Sequence, residues 1–289
     1  MPSKAVYQTI SLLSAALVVG YYGWISTAAL GATGAPIVAA VTFGLVLAIL
    51  KIGVRELKLL WVAADSAQVP PILTMIVLGL IVQLGVGWIL RWVGYFDAMA
   101  SMIVFLNVWV CLPLLFLAVK IIRWPRRLAA PSVRTLLPIA VAAVVVGLIL
   151  LWIGSVTYDG PRDPASLADQ ITGGLLVLSG ASAEEVVFRV LLLTALARAS
   201  GSAIHALIIS SAVFALYHVP GAVSVPLLDG SWAEVNIYVK QFMPELVWTI
   251  ALGFLCGALW IRTGSIVLIC GFHALCNMGA IVAGGLAGL

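Results

Sequence analysis

Three short constellations interrupt long apolar stretches with side chains able to do chemistry. They are Glu184-Glu185-Val186-Val187-Phe188-Arg189, Phe214-x-x-x-His218 and His273-x-x-x-Asn277. An ionised group inside hydrocarbon costs about 2.5–3.5 kcal/mol on insertion scales, so two adjacent carboxylates in such a stretch need a reason. On a helix, Glu185 and Arg189 are four residues apart and share a face, which predicts an ion pair. Glu184 points about 100° away from Glu185 and is left to face other groups. Phe214 shares a helical face with His218, and His273 with Asn277, by the same spacing.

If the three stretches meet inside one bundle, a carboxylate, two imidazoles and a carboxamide converge. Glu184 with His218 could polarise a water and act as general base. His273 and Asn277 could donate hydrogen bonds to a developing oxyanion. The Glu185–Arg189 pair would hold the helix and bias the local field. These are the parts for hydrolysing a peptide bond with activated water, without a serine or cysteine nucleophile. The rival chemistry is a zinc centre on Glu184, His218 and His273 with water in the fourth position. No His-Glu-x-x-His pair occurs on one helix, and the metal-free scheme is preferred, with no cofactor expected. Each motif also has a plainer reading. The Glu-Arg cluster could only join helices, His218 could be interfacial, and His273 and Asn277 could be packing hydrogen bonds worth about 0.6–2 kcal/mol. His205, at the start of its apolar stretch, is read as structural.

The elements that must carry these residues are set by composition. Of 289 residues, 63% are hydrophobic and only 9% charged, and the mean hydropathy is +1.19. No soluble domain of this size hides that much apolar surface. The composition excludes a disordered chain, a secreted disulfide scaffold and a nucleic-acid binder. Cys111, Cys256, Cys270 and Cys276 lie in apolar runs without a Cys-x-x-Cys pair and read as small buried hydrophobes.

The apolar runs are continuous rather than short and alternating, so the expected fold is all-α, a polytopic transmembrane bundle of eight to nine helices. Candidate spans are 6–30, 36–50, 72–90, 98–119, 136–156, 167–199, 202–219, 244–261 and 265–289. The first exceeds a signal-peptide core and reads as a retained anchor. Segment 54–68 is amphipathic and is expected along the interface, and 124–134 reads as a basic surface loop. Residues 1–135 are expected to form N-terminal helices with basic cytoplasmic loops, and 136–289 a catalytic core, within one integral membrane domain.

Basic residues concentrate in alternate loops: Lys4; Lys51, Arg55 and Lys58; Lys120, Arg123, Arg126, Arg127 and Arg134; Arg198; Arg262. The opposite loops hold Arg91, Arg162 and Lys240 with Asp97, Asp159, Asp163, Asp169, Asp229, Glu234 and Glu245. This asymmetry predicts a cytoplasmic N-terminus and nine crossings; the expected location is a bacterial cytoplasmic membrane. The depths of Glu184, His218 and Asn277 along their spans then place the site in the extracytoplasmic half.

In this order the three motifs resemble the CAAX-protease and bacteriocin-processing (CPBP, or Abi) family of intramembrane endopeptidases. The resemblance covers about residues 173–279. It implies a bundle of about eight transmembrane helices around a water-accessible cavity, with Glu184 and His218 activating water and His273 and Asn277 forming the oxyanion hole. Glu185, Arg189 and Phe214 would be supporting residues. Many members have Gly after the motif arginine, where this chain has Val190. The implied activity is cleavage of a membrane-associated or exported peptide or protein. Its partners are that substrate and the lipid bilayer. Two other functions compete. A proton-coupled transporter would show an inverted repeat with broken helices in both halves, and none is seen. A non-catalytic immunity or scaffold protein would tolerate loss of the four polar residues.

Overall fold

The computed structural model describes Val6, Thr9, Ile10, Leu13 and residues 60–63, 65–95, 98–129, 131–157, 166–228 and 232–284, excepting the side chains of 221–245, 247, 280 and 284. The rest of the first expected span, all of the second, residues 54–59 and 64 and several charged loop positions lie outside the described residues.

The chain is a helical, multi-pass membrane protein. After a short 3-10 turn, α1 spans Val69–Trp92, α2 Ala98–Ala118 and α3 Val133–Thr157. Helix α4, Leu167–Glu185, runs into a π-helical segment, Val186–Leu193, and then α5, Thr194–Ser200. Helices α6 (Ala203–Leu228), α7 (Trp232–Thr263), α8 (Ile266–Asn277) and α9 (Gly279–Gly284) complete the described fold. Among the described residues, four helices are long and apolar enough to cross a membrane: Ser66–Trp92, Met99–Ala118, Val133–Val156 and Ala203–Pro220.

Local signals explain the boundaries. Asp65 caps the entry to α1 through Ala67 N–H (3.0 Å), and Pro70 and Pro71 occupy the first turn of α1, where a missing N–H is harmless. A capping box opens α4: Ser166 Oγ accepts from Asp169 N, and Asp169 Oδ2 accepts from Ser166 N. Gly201 closes α5 in the left-handed region (φ 71°). Ser265 caps α8 by accepting from Leu268 N.

Helices α1 to α3 turn many large apolar side chains outward, among them Val77, Ile81, Leu114, Val141, Leu148 and Ile149, as lipid-facing helices do. The tightest burial lies in the π-helical segment and in α6, α7 and α8. Side chains with no contact to water or lipid include Phe188, Leu192 and Leu193. The polar motifs therefore sit on the innermost elements.

Two expectations are corrected and three are given more detail. Within segment 54–68, Trp61–Val62 forms β1, paired antiparallel with β2, Arg126–Arg127. Trp61 stacks on Trp260 at 5.5 Å and donates through Nε1 to Gly264 O. A Cβ on Gly264, whose φ is 53°, would lie 2.7 Å from that Nε1. The expected loop 124–134 thus contains a pinned ribbon, and the basic residues Arg126 and Arg127 share one end of the molecule with the α7–α8 turn. The expected span 167–199 is one continuous helical element that contains the π-helical stretch Val186–Leu193. The expected span 265–289 is not one helix, because α8 ends at Asn277 and a short α9 follows. Asn277 is therefore a helix terminus, not a mid-span residue. Finally, Cys111 is exposed, while Cys256, Cys270 and Cys276 are buried as expected.

A close glycine contact lies beside the α8–α9 break. A Cβ on Gly279 would lie 2.6 Å from Gly154 Cα. Only two glycines let the backbone of α3 meet the turn after Asn277.

Candidate active site

Glu184 and Glu185 end α4, and the chain then widens into the π-helical segment. Such segments often occur at functional sites. Two buried hydroxyls serve its carbonyls. Ser210 Oγ on α6 donates to Phe188 O at 2.7 Å, and Thr194 Oγ1 donates to Arg189 O at 3.2 Å. Trp260 Nε1 on α7 donates to the same Thr194 oxygen at 3.2 Å.

The expected ion pair is present. Arg189 Nη1 lies 3.3 Å from Glu185 Oε1, with both side chains essentially buried. The guanidinium sits over the Phe214 ring, 4.1 Å from its centroid, an arrangement that suits a desolvated cation. Phe214 also meets His218 edge-on at 4.8 Å and His273 at 6.0 Å. One ring therefore packs against the arginine and both histidines.

Glu184 faces the two imidazoles. Its Oε1 lies 3.7 Å from His218 Nε2 and its Oε2 3.6 Å from His273 Nε2. Both separations exceed a direct hydrogen bond. The far nitrogens are committed. His218 Nδ1 lies 2.8 Å from Phe214 O, and His273 Nδ1 lies 2.8 Å from Glu185 Oε1. A carbonyl and a carboxylate can only accept, so each Nδ1 carries the proton. Each Nε2 is then the edge turned to Glu184.

Glu184, Glu185, Arg189 and His273 are buried, and His218 is partly open, its side chain 27% exposed. Asn277 is exposed and joins the site only through a cavity of about 270 Å³, whose walls it shares with Glu184. The structure thus brings Glu184, Glu185, Arg189, Phe214, His218 and His273 together. It places Asn277 at the cavity rim. His205 lies in the first turn of α6, far along the helix from His218.

Sequence reasoning missed three features. Glu185 binds His273 as well as Arg189. Tyr217 packs edge-on against His218 (4.9 Å) and against Trp109 of α2 (4.7 Å). Gln83 of α1 accepts from Trp109 Nε1 at 2.7 Å and lines the cavity. A lone glutamine in an apolar span was a readable signal, since buried amides in membranes need partners.

Two donor sets could hold a metal. Ligand atoms of Glu185, Cys256 and His273 lie within 4.8 Å of one another. That set fits poorly, because Glu185 Oε1 already faces the Arg189 cation. Glu184, His218 and His273 form the other set: one oxygen of Glu184 lies 3.7 Å from His218 Nε2 and the other 3.6 Å from His273 Nε2, so the three would have to draw closer to share one ion.

A buried carboxylate thus lies between two oriented imidazoles inside apolar helices. Residues 170–279 match the model of the type II CAAX prenyl endopeptidase Rce1-like family. The matched stretch holds all three motifs and agrees with the family they resemble. It supports an intramembrane endopeptidase of the CAAX type in general. No curated protein and no solved structure matches the chain.

Proposed function

We propose that the protein hydrolyses a peptide bond of a membrane-associated or exported peptide, using water activated by Glu184 with His218. One observation carries this reading: both Nε2 edges face the two oxygens of Glu184 while both Nδ1 protons are committed elsewhere. A neutral His218 offers a lone pair at Nε2, so it and Glu184 can accept the two protons of one water. Glu184 takes a proton as the water oxygen bonds to the carbonyl carbon. The carbonyl oxygen becomes an oxyanion facing His273 and Asn277. His273 Nε2 donates to it when the ring carries a proton on each nitrogen. Collapse breaks the C–N bond, and Glu184 returns its proton to the leaving amine.

A second reading has its own support. His273 tied to a carboxylate and His218 to a backbone carbonyl is also the way zinc-bound histidines are held. Glu184, His218 and His273 would carry the ion, which would supply a more acidic bound water.

The test uses purified full-length protein in nanodiscs with quenched-fluorescent peptides, with and without a farnesylated cysteine, in H₂¹⁸O. The expected product carries one ¹⁸O in its new C-terminal carboxylate. A cleavage product without ¹⁸O, or no cleavage of any peptide, contradicts the reading. Metal analysis of the active preparation separates the two versions.

A further inference from the structure

The cavity at Glu184 is not built by the matched segment alone. Its far wall comes from α1 and α2, which precede residue 170, through Gln83, Ser101, Met102 and Phe105. Three observations give this wall a definite shape. First, Gln83 is oriented: its Oε1 accepts from the buried Trp109 Nε1 at 2.7 Å, which leaves the NH₂ group as the donor end. Second, α4 passes close to α2 at Gly180, where a Cβ would lie 3.3 Å from Phe105 Cε1. A methyl there narrows the cavity, and trimming Phe105 widens it. Third, the volume of about 270 Å³ is below the usual range for a drug-sized ligand. It suits one substrate residue, not a long lipid chain.

We infer that α1 and α2 form the specificity pocket for a substrate residue beside the scissile bond, an inference that rests on the endopeptidase reading above. Met102 and Phe105 receive an uncharged aliphatic side chain. The Glu184 carboxylate at the end of the pocket disfavours an acidic one. Gln83 donates from its NH₂ group to a carbonyl of the bound peptide. The N-terminal helices thus select the substrate, while α4, α6 and α8 carry the chemistry.

The test has two arms on the full chain in nanodiscs. In the first, a quenched-fluorescent peptide panel varies the residue on each side of the cut. Phe105→Ala is expected to shift kcat/KM about tenfold or more toward larger residues at one position only. Gly180→Ala is expected to shift the same position toward smaller ones. A structural role alone would lower all peptides together, and that result, or no change in preference, overturns the pocket. In the second arm, Ser101→Cys in a Cys111→Ala, Glu184→Gln background is labelled with a water-soluble maleimide. The panel peptides are expected to protect it. Protection without cleavage by the parent protein keeps the pocket and removes the endopeptidase reading. Cleavage without protection and without opposite shifts removes the pocket and keeps the reading. Neither cleavage nor protection removes both.

Discussion

His273 Nδ1 donates to Glu185 Oε1 at 2.8 Å, so the opposite edge of the same ring, Nε2, is turned to Glu184 at 3.6 Å. The two adjacent glutamates therefore face the two nitrogens of one imidazole, Glu185 in a hydrogen bond and Glu184 at a longer separation. Glu185 orients the ring, and Glu184 lies beside its other edge. Helical geometry lets neighbouring residues do this because their directions differ by about 100°.

If Glu185 acts through His273, the two are one unit. Glu185→Ala and His273→Ala should each lower kcat about 10²–10³-fold, and the double variant should lose little more than either alone. A double-mutant cycle on kcat/KM checks this. Additive losses would separate the two residues.

Arg189→Leu should destabilise the fold by about 3–5 kcal/mol, because it leaves the Glu185 carboxylate buried without its cation. Replacing both partners, with Glu185→Leu as well, should restore part of that loss. Thermal unfolding in one detergent, followed by exposure of buried cysteines, reads the difference.

Thr194 links Arg189 O to Trp260 Nε1. Thr194→Val leaves both groups without that oxygen and should cost about 1–3 kcal/mol. Thr194→Ser keeps the oxygen and should restore most of the stability and the turnover. Equal effects of Val and Ser would show that the hydroxyl does not hold the π-helical segment.

Gly279→Val should lower activity, because its side chain cannot fit where even a Cβ would lie 2.6 Å from Gly154 Cα. The displaced α8–α9 turn carries Asn277 with it. The loss should be in kcat, since the pocket wall on α1 and α2 is untouched. Steady-state kinetics on one peptide decides this.

Under the metal-free reading, dialysis against EDTA and then 1,10-phenanthroline should leave turnover unchanged. Loss on chelation, with recovery on adding zinc, would move Glu184, His218 and His273 to the metal-bound version.

Much of this was legible from residue spacing. The Glu185–Arg189 pair and the separate direction of Glu184 follow from helical periodicity alone, and α1 to α3 follow from apolar length. The meeting of Glu184, His218 and His273 was legible only as a set of costs, since polar groups in apolar helices must find partners. What stayed hidden depends on contacts between elements. The π-helical segment is held by hydroxyls from Ser210 and Thr194, and no periodicity reports a carbonyl served from another helix. Beside the stop at Asn277, Gly154 and Gly279 touch across more than a hundred residues. The ribbon at Trp61 forms only because Arg126 and Arg127 lie beside it. Gln83 was visible as a polar residue, but its role needed the cavity.

The most direct measurement is single-turnover cleavage by Glu184→Gln, beside the unchanged protein, on one peptide in nanodiscs. The substitution keeps size and hydrogen bonding but removes the base. The expected result is a rate lowered by about 10²–10⁴-fold with the unfolding temperature preserved. A well-folded Glu184→Gln protein that cleaves within a few-fold of the parent would contradict the shared-water site.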